Sequence, residues 1–180
     1  KLLPGVDWQK RVLLLTAHRR ENWGEPLTSI FRTMAGLVAD FADIELVFPV
    51  HKNPKVRQAA KEQLANRDRI HLIEPLDYLP FVALMNKSYL ILTDSGGMQE
   101  EAPSLGKPVL VLRNTTERPE AVAAGTVKVI GSDADIVYNS TVELLTNHDN
   151  YTAMAQAINP YGDGKASGRI LEAIKRRFVV

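Results

Sequence analysis

Short apolar runs alternate with longer amphipathic segments along this chain, and that alternation limits its possible folds more than any other feature. The runs that are apolar enough to be strands lie at 11–15, 44–50, 70–73, 89–92, 108–112 and 127–130. Helical spacing of apolar residues predicts helices over 26–41, 54–65, 79–86, 98–105, 120–124, 133–146, 151–157 and 166–178. Repeated strand–helix units with short loops are typical of a doubly wound, Rossmann-like parallel α/β sheet, so we expect one domain over 1–180.

Composition excludes several classes of protein. The 180 residues are 45% hydrophobic, and Lys plus Arg number 22 against 21 Asp plus Glu, so the net charge of +1 argues against a general nucleic-acid binder. The absence of Cys excludes disulfides, thiolate metal sites and a Cys nucleophile, and it is compatible with the cytoplasm, where we expect the protein. No apolar run approaches membrane-spanning length, so we expect no membrane partner. The chain begins at Lys1 without a Met and reads as mid-chain sequence, so we expect a fragment of a longer protein.

The clearest local signal is the stretch Leu90–Gly106, LILTDSGGMQEEAPSLG. It predicts a buried strand, a turn at 95–97 and a helix that starts near Met98, with Glu100 and Glu101 in its first turn. Unpaired N–H groups at a helix start attract anions, and two glycines let a ligand approach the backbone, so a phosphate or diphosphate is the expected guest. Glu101 is placed to accept hydrogen bonds from sugar hydroxyls. A plain strand-to-helix turn with an Asp or Ser cap fits the same residues equally well.

Polar and basic residues also follow other predicted strands. His18, Arg19 and Arg20 follow the first strand, His51 follows the second, and Arg118 lies in the loop after the strand at 108–112. The carboxyl ends of parallel strands meet at one edge of a sheet, where ligands bind in folds of this kind. Local positive charge on a nearly neutral chain favours a small anionic ligand over a polyanion.

Each of these residues has an ordinary interpretation when it is taken alone. His18 fits a capping or structural histidine, and His51 fits a surface position in a loop. Arg19 and Arg20 fit a solvated charge pair, which contributes little to stability. Arg118 fits a salt-bridge partner of Glu117 or Glu120. The convergence of several such loops on one edge favours a binding site.

Several ordered motifs together resemble one protein family. They are T-A-H-R-R-E-N (16–22), P-V-H-x-N-P (49–54), E-P-L-D-Y-x-x-F (74–81), T-D-S-G-G-x-Q-E-E-A (93–102), G-K-P-V-L-V-L-R (106–113), T-E-R-P-E (116–120) and N-P-Y-G-D-G-x-A (159–166). In this order they resemble the non-hydrolysing UDP-N-acetylglucosamine 2-epimerases over nearly the whole chain. The resemblance implies the C-terminal half of a B-type glycosyltransferase (GT-B) fold, whose active site lies in the cleft between two domains.

The resemblance implies interconversion of UDP-GlcNAc and UDP-ManNAc. UDP would be eliminated to give 2-acetamidoglucal and then added back on the other face, without a metal or redox cofactor. The carboxylates that move the C2 proton would lie in the N-terminal domain, which is missing here, so this chain would bind nucleotide without turnover. The family likeness also implies a homodimer of the full-length protein and a place in cell-envelope polysaccharide biosynthesis.

Site residues carry over from the family motif by motif. The UDP site would comprise Leu76, Phe81, Ser95, Gly96, Gly97, Glu101 and Arg118, with the segment 76–81 over the uracil. Glu101 would hold the ribose hydroxyls and Arg118 would lie at the diphosphate. His18 is the catalytic candidate, protonated so that it stabilises the charge on departing UDP. Arg19 and His51 match positions that contact a second, activating UDP-GlcNAc in bacterial members.

Other functions stay open on the sequence alone. A glycosyltransferase of the same fold would move a sugar from UDP to an acceptor, and a hydrolysing relative would release free ManNAc. A non-catalytic sensor of sugar nucleotides would share the binding residues. Incubation of the full-length protein with UDP-GlcNAc and no acceptor separates these functions, because only an epimerase forms UDP-ManNAc.

Overall fold

The computed structural model describes residues 3–178, so the outermost two residues at each end of the expected 1–180 domain lie outside it. The strands are β1 Arg11–Thr16, β2 Ile44–Pro49, β3 Ile70–Ile73, β4 Leu90–Thr93, β5 Val109–Val111 and β6 Val127–Val129. The helices are α1 Glu25–Asp40, α2 Pro54–Leu64, α3 Tyr78–Lys87, α4 Gly96–Glu101, α5 Pro119–Ala123, α6 Ala134–Thr146, α7 His148–Ala155 and α8 Ala166–Phe178. All the pairings between these strands are parallel, in the order β3-β2-β1-β4-β5-β6. The doubly wound parallel sheet expected from the sequence is confirmed.

The central strands are mostly apolar because helices cover both faces of the sheet. Leu13 and Leu15 of β1 point into one core with Phe31 of α1, whereas Leu14 points into the other core with Met98 of α4. Side chains alternate between the faces of a strand, so a strand buried on both sides must be apolar at consecutive positions. This is why the run at 11–15 has no polar residue after Arg11.

The strand order places a crevice between β1 and β4. The chain leaves β1 towards β2 and β3 on one side and returns to β4 on the other, so the loops after β1 and β4 diverge from adjacent strands. Thr16 and Thr93 are paired at the ends of these strands. In sheets of this order, ligands bind at this reversal, outside the carboxyl ends of the strands.

The helix after β4 begins earlier than its sequence predicts. α4 starts at Gly96 and ends at Glu101, and one turn of 3-10 helix then runs to Leu105. Glu100 and Glu101 therefore lie in the last turn of α4, and their predicted place in the first turn was wrong. Glycine is a poor helix former, but here tertiary packing sets the helix start.

Other helix bounds differ from the prediction by one to three residues. The largest shift is at α7, which begins at His148 rather than Tyr151 because the Asn147 side chain accepts a hydrogen bond from the backbone N–H of Asn150 at 3.0 Å. Such side-chain caps fix the start of a helix.

Helix α8 confirms the predicted range 166–178, yet none of its residues is buried. Its apolar residues Ile170, Leu171, Ile174 and Phe178 are all exposed, Phe178 to 73%. Across residues 3–178, no helix combines the length and apolarity that crossing a bilayer requires.

Candidate functional site

A pocket of about 290 Å³ opens at the carboxyl edge of the sheet, between the ends of β1 and β4. Of the residues expected at a site, it is lined by His18, His51, Leu76, Phe81, Ser95, Gly97 and Glu101. Its size is near the lower end of the range for small-molecule sites. The folded chain therefore brings together residues from four loops that lie far apart in sequence.

Gly96 and Arg118 lie beside this pocket rather than in its lining. A Cβ atom built on Gly96 would be 3.8 Å from Nη2 of Arg118 and 4.0 Å from Nη2 of Arg19. Two guanidinium groups therefore meet over the first turn of α4. Arg19, expected at a second ligand, thus also lies next to the position expected for the diphosphate. Its Nε atom is buried and has no hydrogen-bond partner among the described residues.

Arg118 is held by contacts on α4 and on its own loop. Its Nε atom donates a hydrogen bond to Oε1 of Glu100, its Nη1 atom donates to the carbonyl of Glu117 at 3.0 Å, and its backbone N–H donates to the Thr116 hydroxyl at 3.0 Å. The side-chain pairing with Glu117 or Glu120 that the sequence suggested is not formed. Arg118 pairs with Glu100 instead, because α4 places Glu100 next to the loop that carries Arg118.

A second arginine ties the loops of the site together. Arg113 is only 7% exposed, and its guanidinium donates to Glu21 at 2.6 Å and to Glu117. Glu21 lies after β1 and Glu117 lies just before Arg118, so this cluster links the loops on both sides of the crevice. Sequence reasoning missed it, because nothing in the spacing identifies a partner 92 residues away.

The loop after β1 is anchored on one buried carboxylate that the sequence analysis treated only as a candidate cap. Oδ2 of Asp94 accepts hydrogen bonds from the backbone N–H groups of His18 and Arg19, both at 2.8 Å, and from the Asn22 side chain at 3.1 Å. Asp94 is 0% exposed, and its Oδ1 lies 3.3 Å from Nδ1 of His18. Ser95 is the residue before α4 and makes no side-chain cap. The capping explanation of Asp94 and Ser95 was therefore wrong.

The surroundings of His18 favour the neutral form of its imidazole. Burial lowers the pKa of its imidazole below the ordinary value, Asp94 raises that pKa in part, and His51 and Arg19 lower it further. The His51 ring stacks on the His18 ring, with centroids 5.0 Å apart. In the free chain desolvation thus outweighs the nearby carboxylate, and protonation of His18 beside departing UDP stays a prediction.

An acidic and an apolar element also line the pocket. Oε1 of Glu101 would lie 3.6 Å from a Cβ atom on Gly97, so the carboxylate reaches the mouth of the pocket. Leu76 and Phe81 pack against the core under α3 and α4 while also lining the pocket. Tyr78 lines the same wall and is 65% exposed. A flat ring could lie against this apolar wall with hydroxyl groups near Glu101.

Comparison with known proteins agrees with this geometry. The family model described as UDP-N-acetylglucosamine 2-epimerase matches residues 4–175. The UDP-N-acetylglucosamine 2-epimerase of Bacillus subtilis is 55% identical over 166 residues, which are 92% of this chain and 44% of that protein. The chain thus spans about half the length of such relatives.

Solved structures give the same result. The Neisseria meningitidis UDP-GlcNAc 2-epimerase bound to UDP-GlcNAc superposes with a TM-score of 0.91 at 50% identity, covering 96% of this chain and 47% of that one. The glycosyltransferase WaaG superposes at a TM-score of 0.65 with 18% identity, covering 98% of this chain and 49% of that one, a likeness of fold alone. These likenesses confirm the Rossmann-like half of a GT-B fold. With the family model matching nearly its whole length, the chain belongs to the UDP-N-acetylglucosamine 2-epimerase family.

Proposed function

We propose that this chain is the UDP-binding half of an enzyme that interconverts UDP-GlcNAc and UDP-ManNAc. The observation that carries the proposal is the pocket between β1 and β4. His18, Ser95, Gly97 and Glu101 line it, and Arg118 lies beside Gly96 at its edge. A cationic edge, an apolar wall and a carboxylate match the diphosphate, the uracil and the ribose of UDP in that order.

Arg118 and Arg19 supply the charge that a diphosphate needs. Both guanidinium groups lie near Gly96, where the absent side chain leaves room for phosphate oxygens. α4 is only six residues long, so we assign most of the attraction to these arginines rather than to the helix dipole. Arginine presents several N–H donors in a planar fork that suits phosphate.

His18 fits a group that changes charge during the reaction. Breaking the bond between the anomeric carbon and the diphosphate puts negative charge on UDP, and a cation beside it lowers the barrier. The ring is neutral before ligand binds, since burial lowers its pKa. A diphosphate placed next to His18 opposes that effect and favours the protonated ring. His18 is thus neutral in the free site and cationic beside bound UDP.

Proton transfer at C2 of the sugar needs groups from outside this chain. Among the described residues that line the pocket, Glu101 is the only carboxylate, and we assign it to the ribose. Inversion at a carbon needs a base on one face and an acid on the other. We therefore propose that the rest of the protein, an N-terminal domain, supplies these carboxylates and that this chain alone does not epimerise the sugar.

The exposed face of α8 supports a second domain that packs against this one. Ile170, Leu171, Ile174 and Phe178 make an apolar stripe on a helix with no buried residue. The relatives are about twice as long as this chain, so a domain of similar size is available to cover that stripe. We extend the proposal to a cytoplasmic homodimer of the whole protein, as in the family that the motifs resemble.

Calorimetric titration of UDP into the 180-residue chain tests the binding half of the proposal. We expect saturable binding that weakens when Glu101→Ala or Arg118→Ala removes a hydrogen bond to the ligand, each costing about 1.5–3 kcal/mol. Lys128→Ala is the matched control. Lys128 lies on the edge strand β6 and pairs with Glu143 of α6, so its loss should leave UDP binding unchanged. Absence of UDP binding to the unmodified chain would contradict the proposal.

The reaction itself is tested on the longer protein. With UDP-GlcNAc and no acceptor, we expect UDP-ManNAc to accumulate towards an equilibrium mixture. Release of free ManNAc together with UDP would identify a hydrolysing enzyme instead. No change in UDP-GlcNAc until an acceptor is added would identify a glycosyltransferase.

A further inference from the structure

Asp94 does more than anchor the loop that follows β1. One of its oxygens, Oδ2, is fully used by the backbone N–H groups of His18 and Arg19 and by the Asn22 amide. Three donors on one oxygen fix the direction of the whole carboxylate. The other oxygen, Oδ1, is therefore also fixed in place.

Oδ1 of Asp94 points at the imidazole of His18. It lies 3.3 Å from Nδ1, is buried, and has no hydrogen-bond partner within residues 3–178. A buried carboxylate oxygen without a donor is costly, so a small rotation of the His18 ring that brings an Nδ1–H bond onto Oδ1 is favourable. Nδ1 is thus the nitrogen that should carry the proton in the neutral ring.

Two further contacts keep the ring in this position. The indole N–H of Trp23 donates to the backbone carbonyl of His18 at 3.1 Å, and the His51 ring stacks on the His18 ring with an interplanar angle of 11°. The backbone is held on one side and the face of the ring on the other. Only the Nε2 side of the imidazole is then left for a ligand.

We infer that Asp94 is a positioning residue that holds His18 as the Nδ1–H tautomer, with Nε2 presented to the diphosphate and the reacting sugar. The inference deepens the proposed function, on which the role of His18 rests. A carboxylate that fixes the tautomer of a catalytic histidine is a known device, since the second nitrogen is then always the reactive one. The device needs no contact between Asp94 and the ligand.

Nitrogen NMR of the 180-residue chain tests the tautomer directly. In long-range proton–nitrogen spectra of the neutral ring, we expect a protonated-type signal for Nδ1 and an unprotonated-type signal for Nε2 of His18. The opposite pattern in the unmodified chain would overturn the inference, whatever any variant does.

The Asp94→Asn variant provides a second test of the tautomer. The Asn oxygen can accept from the same three donors, which turns its NH2 group towards Nδ1 of His18 and forces that nitrogen to accept. We therefore expect the ring to change to the Nε2–H tautomer. An unchanged tautomer in Asp94→Asn would also overturn the inference.

Asn22→Ala is the matched control for looser loop packing. It removes one donor to Oδ2 of Asp94 but leaves Oδ1 and its charge in place. We expect the Nδ1–H tautomer to persist. If Asn22→Ala changed the tautomer as Asp94→Asn does, loop packing rather than the carboxylate would set it, and the inference would fall.

Kinetics of the longer protein separate this inference from the proposed function. Asp94→Asn should lower kcat by about 10²–10⁴-fold, the usual span of acid–base contributions, while KM and UDP affinity change little. A loss of UDP binding with kcat preserved would contradict a positioning role. Failure of the unmodified chain to bind UDP would defeat the proposed function and leave the tautomer result standing.

Discussion

The imidazole rings of His18 and His51 lie nearly parallel, with centroids 5.0 Å apart. Because like charges repel at this distance, a charge on His51 disfavours protonation of His18 and lowers its pKa. The residue expected at the reacting sugar is thus electrostatically linked to a residue expected at a second ligand. A ligand that changes the charge near His51 would therefore also change the pKa of His18.

The first prediction concerns the pKa of His18. His51→Ala removes the neighbouring imidazole, which lowers this pKa in the unmodified chain, so we expect the pKa to rise. Burial of the ring, Asp94 and Arg19 still act on it. Proton NMR titration measures the shift, and His148→Ala on α7 is the control. A lower pKa in His51→Ala would contradict the electrostatic link.

The lowered pKa of His18 also determines how the stability of the fold changes with pH. Folded His18 has a pKa below its unfolded value, so the unfolded chain binds more protons in the interval between the two values. Its contribution to the free energy of unfolding is present above the ordinary histidine pKa and is lost as pH falls through that value to the lowered one. Urea unfolding of the His18→Gln variant should lack this part of the pH dependence.

The second prediction is that UDP binding takes up a proton near neutral pH. The free site holds a neutral His18, and the arriving diphosphate raises its pKa. Titration calorimetry in buffers of different ionisation enthalpy should show proton uptake that disappears in His18→Gln. Proton release on binding, or uptake that survives the substitution, would show that another group titrates.

The third prediction separates stability from binding at Gly96. Gly96→Ala meets no atom closer than 3.8 Å in the folded chain, and alanine is the better helix former by about 1 kcal/mol. We expect the free energy of unfolding to stay equal or rise while UDP affinity falls at least tenfold, equivalent to about 1.4 kcal/mol. The added methyl group would occupy space between the two arginines and the diphosphate.

Gly36→Ala in the middle of α1 is the matched control for Gly96→Ala. A Cβ atom at Gly36 meets nothing within 4 Å, so stability should rise by a similar amount with no effect on UDP. Unchanged UDP affinity in Gly96→Ala would show that the diphosphate does not bind at the start of α4.

The fourth prediction concerns Arg113, which never touches the pocket. Arg113→Met frees the loops that carry Glu21 and Glu117, so Arg118 must be ordered again when UDP binds. Ordering one side chain costs about 0.5–1.5 kcal/mol, so we expect UDP affinity to fall by about 2- to 13-fold. Arg32→Met is the control, because Arg32 and its partner Glu25 are both largely exposed. Full affinity in Arg113→Met would show that the network does not support Arg118.

The fifth prediction concerns the apolar stripe of α8. Ile170→Asp with Ile174→Asp should leave the unfolding of the 180-residue chain within about 0.5 kcal/mol, as expected for exposed positions. The same pair in the longer protein should lower its stability and activity, since it places charges in the proposed domain contact. A large destabilisation of the short chain would show that α8 packs on this domain instead.

The sequence patterns predicted the strands and helices better than they predicted which side chains contact one another. The apolar runs placed β1 to β6 correctly because burial on both faces leaves a local signature in consecutive residues. The turn predicted at 95–97 was wrong at Gly96 and Gly97, which form the start of α4. Phe81 and Glu101 line the pocket as expected. The expectation for Glu101 came from its place after the glycine turn, whereas that for Phe81 depended on likeness to a family.

Apart from the helix bounds, the main errors concern side chains whose surroundings come from distant parts of the chain. Asp94 looked like a cap, although its donors lie 72 to 76 residues earlier. Arg118 was matched with near neighbours, although Glu100 on α4 holds it. The charge of His18 depends on burial, which no local window of sequence records. Such contacts are decided only when distant strands pair.

The pairing of Thr16 with Thr93 also has a consequence for synthesis of the chain. Their hydroxyl groups share a hydrogen bond across a separation of 77 residues. A growing polypeptide that has completed β1, β2 and β3 still lacks the strand that closes the crevice, so on the ribosome it cannot yet bind nucleotide. Contacts of such long sequence separation form slowly. We therefore expect β1 to stay unpaired on its β4 side until β4 has been synthesised. Nucleotide should stabilise only the completed fold.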